Sequence, residues 1–310
     1  MTAMLRPMSL GEILDRTFQM YRSSFLAFVG IAVLPLSVQM ALYLIGFPIE
    51  GLVRQTTISV ILQREIIDGY GWIATRFSSY FLYYAMWPVF CVVAGQILFQ
   101  ERCNIRAALL ECRSRWRGLL ALTVLFWLLE NRVPSWLHGK MWRAWLTMPF
   151  WLSFLVSTVE GFALLAPLLL SVPAWTFERA SIAESIARSW TLSKGAYGRM
   201  FIAVLLHAVC YRSITFMLSL IVYLVWILGN RDVLSGPMSS SWMFLPGYIA
   251  SIFAAPLIPI AIALIYYDQR IRLEGFDIEW MMDAAGMTAK IPDRNSAEEV
   301  AAVLGEETRG

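Results

Sequence analysis

Charged residues are scarce in this sequence. Only 15% of its 310 residues are Asp, Glu, Lys or Arg, whereas 58% are hydrophobic. Soluble globular domains have about 25% charged and about 45–50% apolar residues. The surplus apolar residues come in blocks that reach the roughly 20 residues a helix needs to cross a bilayer. This pattern excludes a single large soluble core.

Histidine and cysteine are also rare, with two and four copies respectively. The four cysteines lack the paired spacing of a zinc site. The sequence also has no phosphate-binding glycine loop, no serine-nucleophile elbow and no His-Glu-x-x-His motif. We therefore predict no metal, no cofactor and no catalytic constellation. The basic loops are interrupted by apolar residues, which favours a membrane surface over nucleic acid as their partner.

Six apolar segments predict an all-α, polytopic transmembrane helical bundle. They cover residues 24–46, 72–99, 117–136, 147–175, 199–228 and 243–267. The third segment is the shortest, because its apolar run stops at Leu129, before Glu130. Either the bilayer thins there or the helix carries a polar end into the outer interface, and a re-entrant segment is the remaining alternative.

The distribution of Lys and Arg predicts the orientation of the bundle. Seventeen of them flank the predicted spans on the side that holds both chain ends, and seven lie on the other side. Positive residues are retained on the cytoplasmic side of a membrane. We therefore expect the N- and C-termini to be cytoplasmic.

The chain shows three related units, at about 9–99, 104–178 and 181–270, each predicted to contain an interfacial amphipathic helix followed by two spans. Ser9 and Glu12 open the first unit with a Ser-x-x-Glu pattern, and Ser181 and Glu184 open the third. This pattern is typical of a helix start in which Ser and Glu satisfy each other's backbone N–H groups. Asn104 is the predicted cap of the middle unit.

Proline recurs in the second span of each unit, at Pro88, Pro167, Pro256 and Pro259. Proline kinks a spanning helix and leaves backbone carbonyls that neighbouring groups must satisfy. We predict one membrane domain over residues 1–273, followed by a polar cytoplasmic tail at 274–310.

Three segments resemble the motifs of a known family. They are Leu5–Arg16 (LRPMSLGEILDR), Ser185–Trp190 (SIARSW) and Ile265–Asp277 (IYYDQRIRLEGFD). They are similar to prokaryotic membrane proteins related to the membrane domain of glycerophosphoryl diester phosphodiesterases, and the resemblance extends to about residue 280. It implies this type of bundle in a bacterial or archaeal cytoplasmic membrane. It does not imply phosphodiesterase activity, because catalysis in that family belongs to a separate soluble barrel domain, for which this chain has no room.

Two ionisable residues lie deep in predicted spans: Glu160 in the fourth and Arg212 in the fifth. A charge at the bilayer centre costs at least about 2.5–3.5 kcal/mol, so each is expected to have a partner. We hypothesise that they face each other. The pair would act either as a buried staple between two spans or as a site for a polar solute or lipid headgroup.

His207, Gln39 and Gln96 are secondary candidates. Polar side chains in spans usually hydrogen-bond a neighbouring helix, and lining a pathway is their alternative role. For His207 the alternative is a proton relay.

Two functions remain open at this point. The first is a non-enzymatic scaffold or subunit of a membrane assembly, whose partners are the lipid bilayer and other membrane proteins. The second is a transporter, channel or lipid-handling protein with a central polar site at Glu160 and Arg212. Kinked spans favour the second, and the lack of a dense polar path across several spans favours the first.

Overall fold

The structure is a computed structural model. It describes residues 6–54, 78–99, 103–129, 149–229 and 240–276, with residues 59, 62, 63, 66, 278, 281 and 282. Within these ranges every regular element is helical. The helices are α1 (Leu10–Ser23), α2 (Phe25–Arg54), α3 (Ser78–Leu98), α4 (Ile105–Ser114), α5 (Trp116–Leu129), α6 (Phe150–Leu165), α7 (Ser171–Phe177), α8 (Ile182–Ser193), α9 (Tyr197–Gly229), α10 (Ser240–Ala254) and α11 (Leu257–Glu274). A 3-10 turn, Ala166–Leu168, joins α6 to α7.

Five segments are long and apolar enough to cross a membrane. They are Phe25–Leu42, Phe81–Leu98, Thr158–Phe177, Tyr197–Val225 and Leu245–Glu274. They coincide with five of the six predicted spans. The remaining predicted span begins with the shorter apolar helix α5, Trp116–Leu129. At 1.5 Å per residue α5 is about 21 Å long, less than the roughly 30 Å of a hydrocarbon core. Residues 130–136 of that prediction lie outside the described residues.

The short helices α1, α4 and α8 begin where the sequence predicted. The Ser9 hydroxyl accepts a hydrogen bond from the Glu12 N–H, and the Glu12 carboxylate accepts one from the Ser9 N–H, at 3.3 and 2.7 Å. Ser181 and Glu184 form the same capping box at the start of α8. In α4, Asn104 Oδ1 accepts from the Ala107 N–H at 3.0 Å. The three predicted caps are thus confirmed.

Helix α11 lies at the centre of the protein. All but a few of its residues are buried, and it contacts α1, α3, α7, α8 and α9. Its Tyr266 ring is fully buried, as are Phe28 on α2 and Phe90 on α3, whose rings stack with centroids 6.4 Å apart. The ends of the helices around α11 are therefore brought together at one end of the bundle.

Proline interrupts two of the spans. Pro167 lies in the 3-10 turn between α6 and α7, and Pro256 lies at the break between α10 and α11. Because Pro259 has no N–H, the carbonyl of Ala255 loses its usual helical donor. The Tyr83 hydroxyl on α3 donates to that carbonyl at 3.3 Å. This bond confirms the expectation that a neighbour satisfies a carbonyl freed by proline.

Candidate functional site: a polar network at the basic end

The most extensive polar constellation in the described part of the chain lies where α1, α4 and α8 meet the last turns of α7 and α11. We call this region the basic end. Its first centre is Asp268 on α11, whose side chain is completely buried. Asp268 accepts hydrogen bonds from the Met8 N–H at 2.7 Å and from Arg272 Nε at 2.8 Å, and it is ion-paired with Arg199 at the start of α9. Arg272 also donates to the Met8 carbonyl at 2.7 Å. A single carboxylate therefore joins the start of α1, the start of α9 and the end of α11.

The second centre is Glu178, just after α7. Its carboxylate accepts from Arg188 of α8 at 3.0 Å and from the Tyr266 hydroxyl, and it lies 3.7 Å from Arg270. Arg188 and Arg270 both also reach Glu274, the last residue of α11. Two carboxylates and two guanidinium groups thus alternate around the junction of α7, α8 and α11. Such networks hold geometry better than isolated surface ion pairs do.

The third centre is Arg115, between α4 and α5. Its guanidinium group donates to the carbonyls of Trp175 and Ala180, at 2.7 and 2.8 Å, and lies 4.3 Å from the centroid of the Trp175 ring. The two carbonyls lie near and beyond the C-terminal end of α7, where a helix leaves acceptors without intrahelical donors. The planar fork of arginine suits two acceptors together with an aromatic face. Arg115 thereby caps α7.

The surroundings shift the pKa values of these side chains. Burial alone would lower the pKa of Arg188, but its hydrogen bonds to Glu274 and Glu178 outweigh that effect, and its pKa is raised. Burial, reinforced by the nearby charge of Arg179, lowers the pKa of Arg115. The Ser181 backbone N–H lowers the pKa of Glu184 by stabilising its carboxylate. The raised pKa of Arg188 favours the charged form that its ion pairs with Glu178 and Glu274 require.

The network can fix helices relative to one another. Each carboxylate of the two centres above meets guanidinium groups, and this arrangement provides no activated nucleophile beside a general base. Among the described residues there is no group of three or more His, Cys, Asp and Glu side chains that could hold a metal ion. The contacts of this site therefore connect helices to one another.

The predicted intramembrane residues lie elsewhere. Glu160 is half-buried on α6, and Arg212 is exposed near the middle of α9. The two helices are in contact, and the rings of Phe162 and Phe201 meet edge to face at 5.2 Å. At 1.5 Å per residue, Glu160 lies about 3 Å beyond that contact and Arg212 about 16 Å beyond it. Direct pairing of the two would need both side chains to extend along the bundle axis, and it stays a prediction.

The secondary candidates lie in three different settings. The His207 ring on α9 stacks on the Tyr211 ring with centroids 6.5 Å apart. Gln96 Oε1 accepts from the Asn104 N–H at 3.0 Å, a bond that holds the start of α4. Gln39 is buried on α2. The structure therefore gives His207 and Gln96 structural contacts.

Sequence reasoning did not identify the three centres. The available signal was the segment Asp268–Glu274, in which Asp268 and Arg272 are four residues apart on one helix face directly after a buried apolar run. That segment was recognised only as part of a family-like motif. Met8 and Arg199, which complete the Asp268 centre, carry no sequence mark of that role.

Comparison of the chain with family models, with curated proteins and with solved structures found no match.

Proposed function

We propose that this protein is a non-enzymatic scaffold or subunit of a membrane assembly in a bacterial or archaeal cytoplasmic membrane. The proposal includes six spans in three related units, cytoplasmic chain ends and the family relationship suggested by the sequence motifs. The five apolar spanning segments support the membrane location. The seventeen-to-seven bias in Lys and Arg supports the orientation.

The observation that carries the proposal is the outer face of α9. The most apolar stretch of this span contains no buried residue, whereas the other four spans bury between 33% and 72% of theirs. The exposed apolar residues recur at helical spacing along one stripe, in which Phe216 and Met217 are 68% and 64% exposed. The stripe comprises Val209, Phe216, Met217, Leu220, Ile221, Leu224 and Val225. In a membrane such a stripe contacts either lipid or a helix of another membrane protein.

Arg212 makes the α9 stripe more selective than a purely lipid-facing surface. It lies near the middle of α9 and stays exposed while it is in contact with its own chain. Charged groups at this depth are found where a span meets protein or water. We infer that the partner presents a polar or acidic side chain at the level of Arg212.

The rest of the bundle is built as a fixed support for this stripe. The carbonyls near the helix breaks have protein donors: Tyr83 for Ala255 and Ser189 for Pro167. The basic end is held by ion pairs such as Arg199–Asp268 and by long-range hydrogen bonds such as that from the Met8 N–H to the Asp268 carboxylate. Hydrogen-bonded helix breaks and a tightly connected basic end favour a static scaffold over a protein that alternates between open states.

Site-specific photo-crosslinking in the native membrane tests this function. A photoreactive residue at Met217, on the stripe, is expected to form one discrete adduct with a partner protein. The amount of adduct should keep a constant ratio to the amount of this protein. The same residue at Val38, a 48% exposed position on α2, is the matched control and should label lipid. Arg212→Leu should reduce the Met217 adduct severalfold. Lipid labelling alone at both positions would refute the assembly role.

The second candidate function is transport or lipid handling. The observation that favours it is the interruption of the Thr158–Phe177 segment by the 3-10 turn, which begins six residues after the half-buried Glu160. Interrupted spans often line binding sites. If a cysteine placed at Gly161 reacts with a membrane-impermeant thiol reagent from one side and is protected by a solute, this function replaces the scaffold.

A further inference from the structure

Each short helix of the basic end is followed by an exposed aromatic residue at the point where the next long helix starts. Phe25, Trp116 and Tyr197 are 38%, 56% and 40% exposed. They occupy the first position of α2, α5 and α9 respectively. Aromatic residues at the ends of spans are typical of the membrane–water interface.

Two of these three aromatic side chains contact neighbouring side chains. The Phe25 ring contacts Tyr21 edge to face at 5.4 Å and stacks on Phe253 at 6.2 Å. The Arg117 guanidinium lies 5.7 Å from the centroid of the Trp116 ring. The Phe25 and Trp116 rings therefore have defined neighbours at the starts of α2 and α5.

Basic side chains lie directly beside each aromatic residue. Arg22 precedes Phe25 by three residues, and Lys194 precedes Tyr197 by three. Arg113 and Arg117 flank Trp116. All four basic side chains are exposed.

The carboxylates of the Asp268 and Glu178 centres are occupied by other arginines. Asp268 pairs with Arg199 and Arg272, while Glu178 and Glu274 pair with Arg188. Over the part of the chain that the structure describes, Arg22, Arg113, Arg117 and Lys194 form no ion pair. Their positive charge is thus available to an external anion.

We propose that the three junctions form a binding surface for phospholipids with a net negative headgroup. The surface consists of Phe25 with Arg22, Trp116 with Arg113 and Arg117, and Tyr197 with Lys194. The ring occupies the headgroup boundary, and the neighbouring cation contacts the phosphate. Charge complementarity selects this occupant, because four exposed cations surround rings that are placed for an interface.

Native mass spectrometry of the full-length protein in detergent micelles tests the proposal. The protein is titrated separately with phosphatidylglycerol, which is anionic, and with zwitterionic phosphatidylcholine. Wild type is expected to bind phosphatidylglycerol at least about tenfold more tightly. Each basic residue near an anionic surface contributes about fivefold, so replacing Arg22, Arg113, Arg117 and Lys194 together with Gln should remove most of this preference.

Two control variants separate local contact from net charge. Arg22→Lys with Arg113→Lys and Arg117→Lys keeps the charges and should keep the preference. Arg6→Gln with Arg179→Gln removes two exposed arginines that are already paired with Glu12 and Glu111, and it should change the preference less than about twofold. If this control lost as much lipid preference as the variant with all four Gln replacements, the junction assignment would be refuted.

Equal affinity of wild type for the two lipids would overturn the proposal, as would an unchanged lipid preference in the variant with all four Gln replacements. If the variant with all four Gln replacements does not fold, Arg113→Gln with Arg117→Gln tests the Trp116 junction alone. It should lower the preference for phosphatidylglycerol at least about fivefold. The purified protein carries no partner, so failure of this experiment is distinct from failure of the assembly function.

Discussion

Replacement of Asp268 by Asn should loosen the basic end of the bundle. The carboxylate is completely buried and receives the Met8 N–H, Arg272 and Arg199. An amide at this position keeps one acceptor oxygen, but its NH₂ group would face two guanidinium donors. The variant therefore leaves two arginines without their shared counter-charge.

The structure sets the size of this effect. Removing one partner of a buried ion pair costs about 3–5 kcal/mol. Arg272 and Arg199 retain 39% and 19% side-chain exposure, so water can partly solvate them in the variant. We therefore expect a loss of about 2–3 kcal/mol in the free energy of unfolding, which is below the range for fully buried pairs.

The assay is reversible unfolding in mixed micelles, followed by the reactivity of the buried Cys91 thiol, together with hydrogen exchange over residues 8–23. Exchange should rise in α1, because the Met8 N–H and carbonyl both depend on this centre. Glu111→Gln is the matched control, since Glu111 pairs with Arg179 at an exposed site and should cost at most about 1 kcal/mol. Equal stability of the two variants, with unchanged exchange in α1, would refute the reasoning.

Three further changes follow from local geometry. Gly118→Ala would place a Cβ 2.6 Å from the buried Trp175 ring. Thermal unfolding should show a loss of about 1–3 kcal/mol in stability. The control Gly198→Ala should be nearly neutral, because a Cβ at Gly198 would have no atom within 4 Å. Tyr83→Phe removes the donor to a proline-freed carbonyl and should cost about 1–3 kcal/mol in the same assay. The pKa of Glu184 is lowered in the folded protein. Its capping contribution to stability is therefore present above its ordinary pKa of 4.5 and is lost as the pH falls through the lower folded value. Hydrogen exchange at the start of α8 should accordingly rise only in acid.

Helix starts were predictable because each depends on residues close together in the chain. The Ser9–Glu12 and Ser181–Glu184 pairs are three residues apart, and local hydrogen bonds decide their conformation. The spans followed from apolar length, which the bilayer thickness sets. Only residues 116–129 of the third predicted span are described, as helix α5, so that span stays a prediction.

The polar centres were not predictable for the opposite reason. Met8 and Asp268 are separated by 260 residues, and only the packing of α1 on α11 brings them together. Sequence reasoning instead selected Glu160 and Arg212, because charged residues inside spans are conspicuous there. The rings of Phe162 and Phe201 mark where α6 and α9 pack together, and the pairing of Glu160 with Arg212 stays a prediction.

The positive charges of the basic end divide into two classes that a residue count treats as one. An inner class, formed by Arg188, Arg199, Arg270 and Arg272, meets buried or half-buried carboxylates. An outer class, formed by Arg22, Arg113, Arg117 and Lys194, is exposed. Orientation is decided while the chain inserts, before tertiary ion pairs exist, so both classes count equally at that step. After folding, the inner charges are paired within the protein, whereas the outer class faces the surroundings. Neutralising outer residues should therefore alter lipid preference at constant stability, whereas neutralising inner residues should lower stability first.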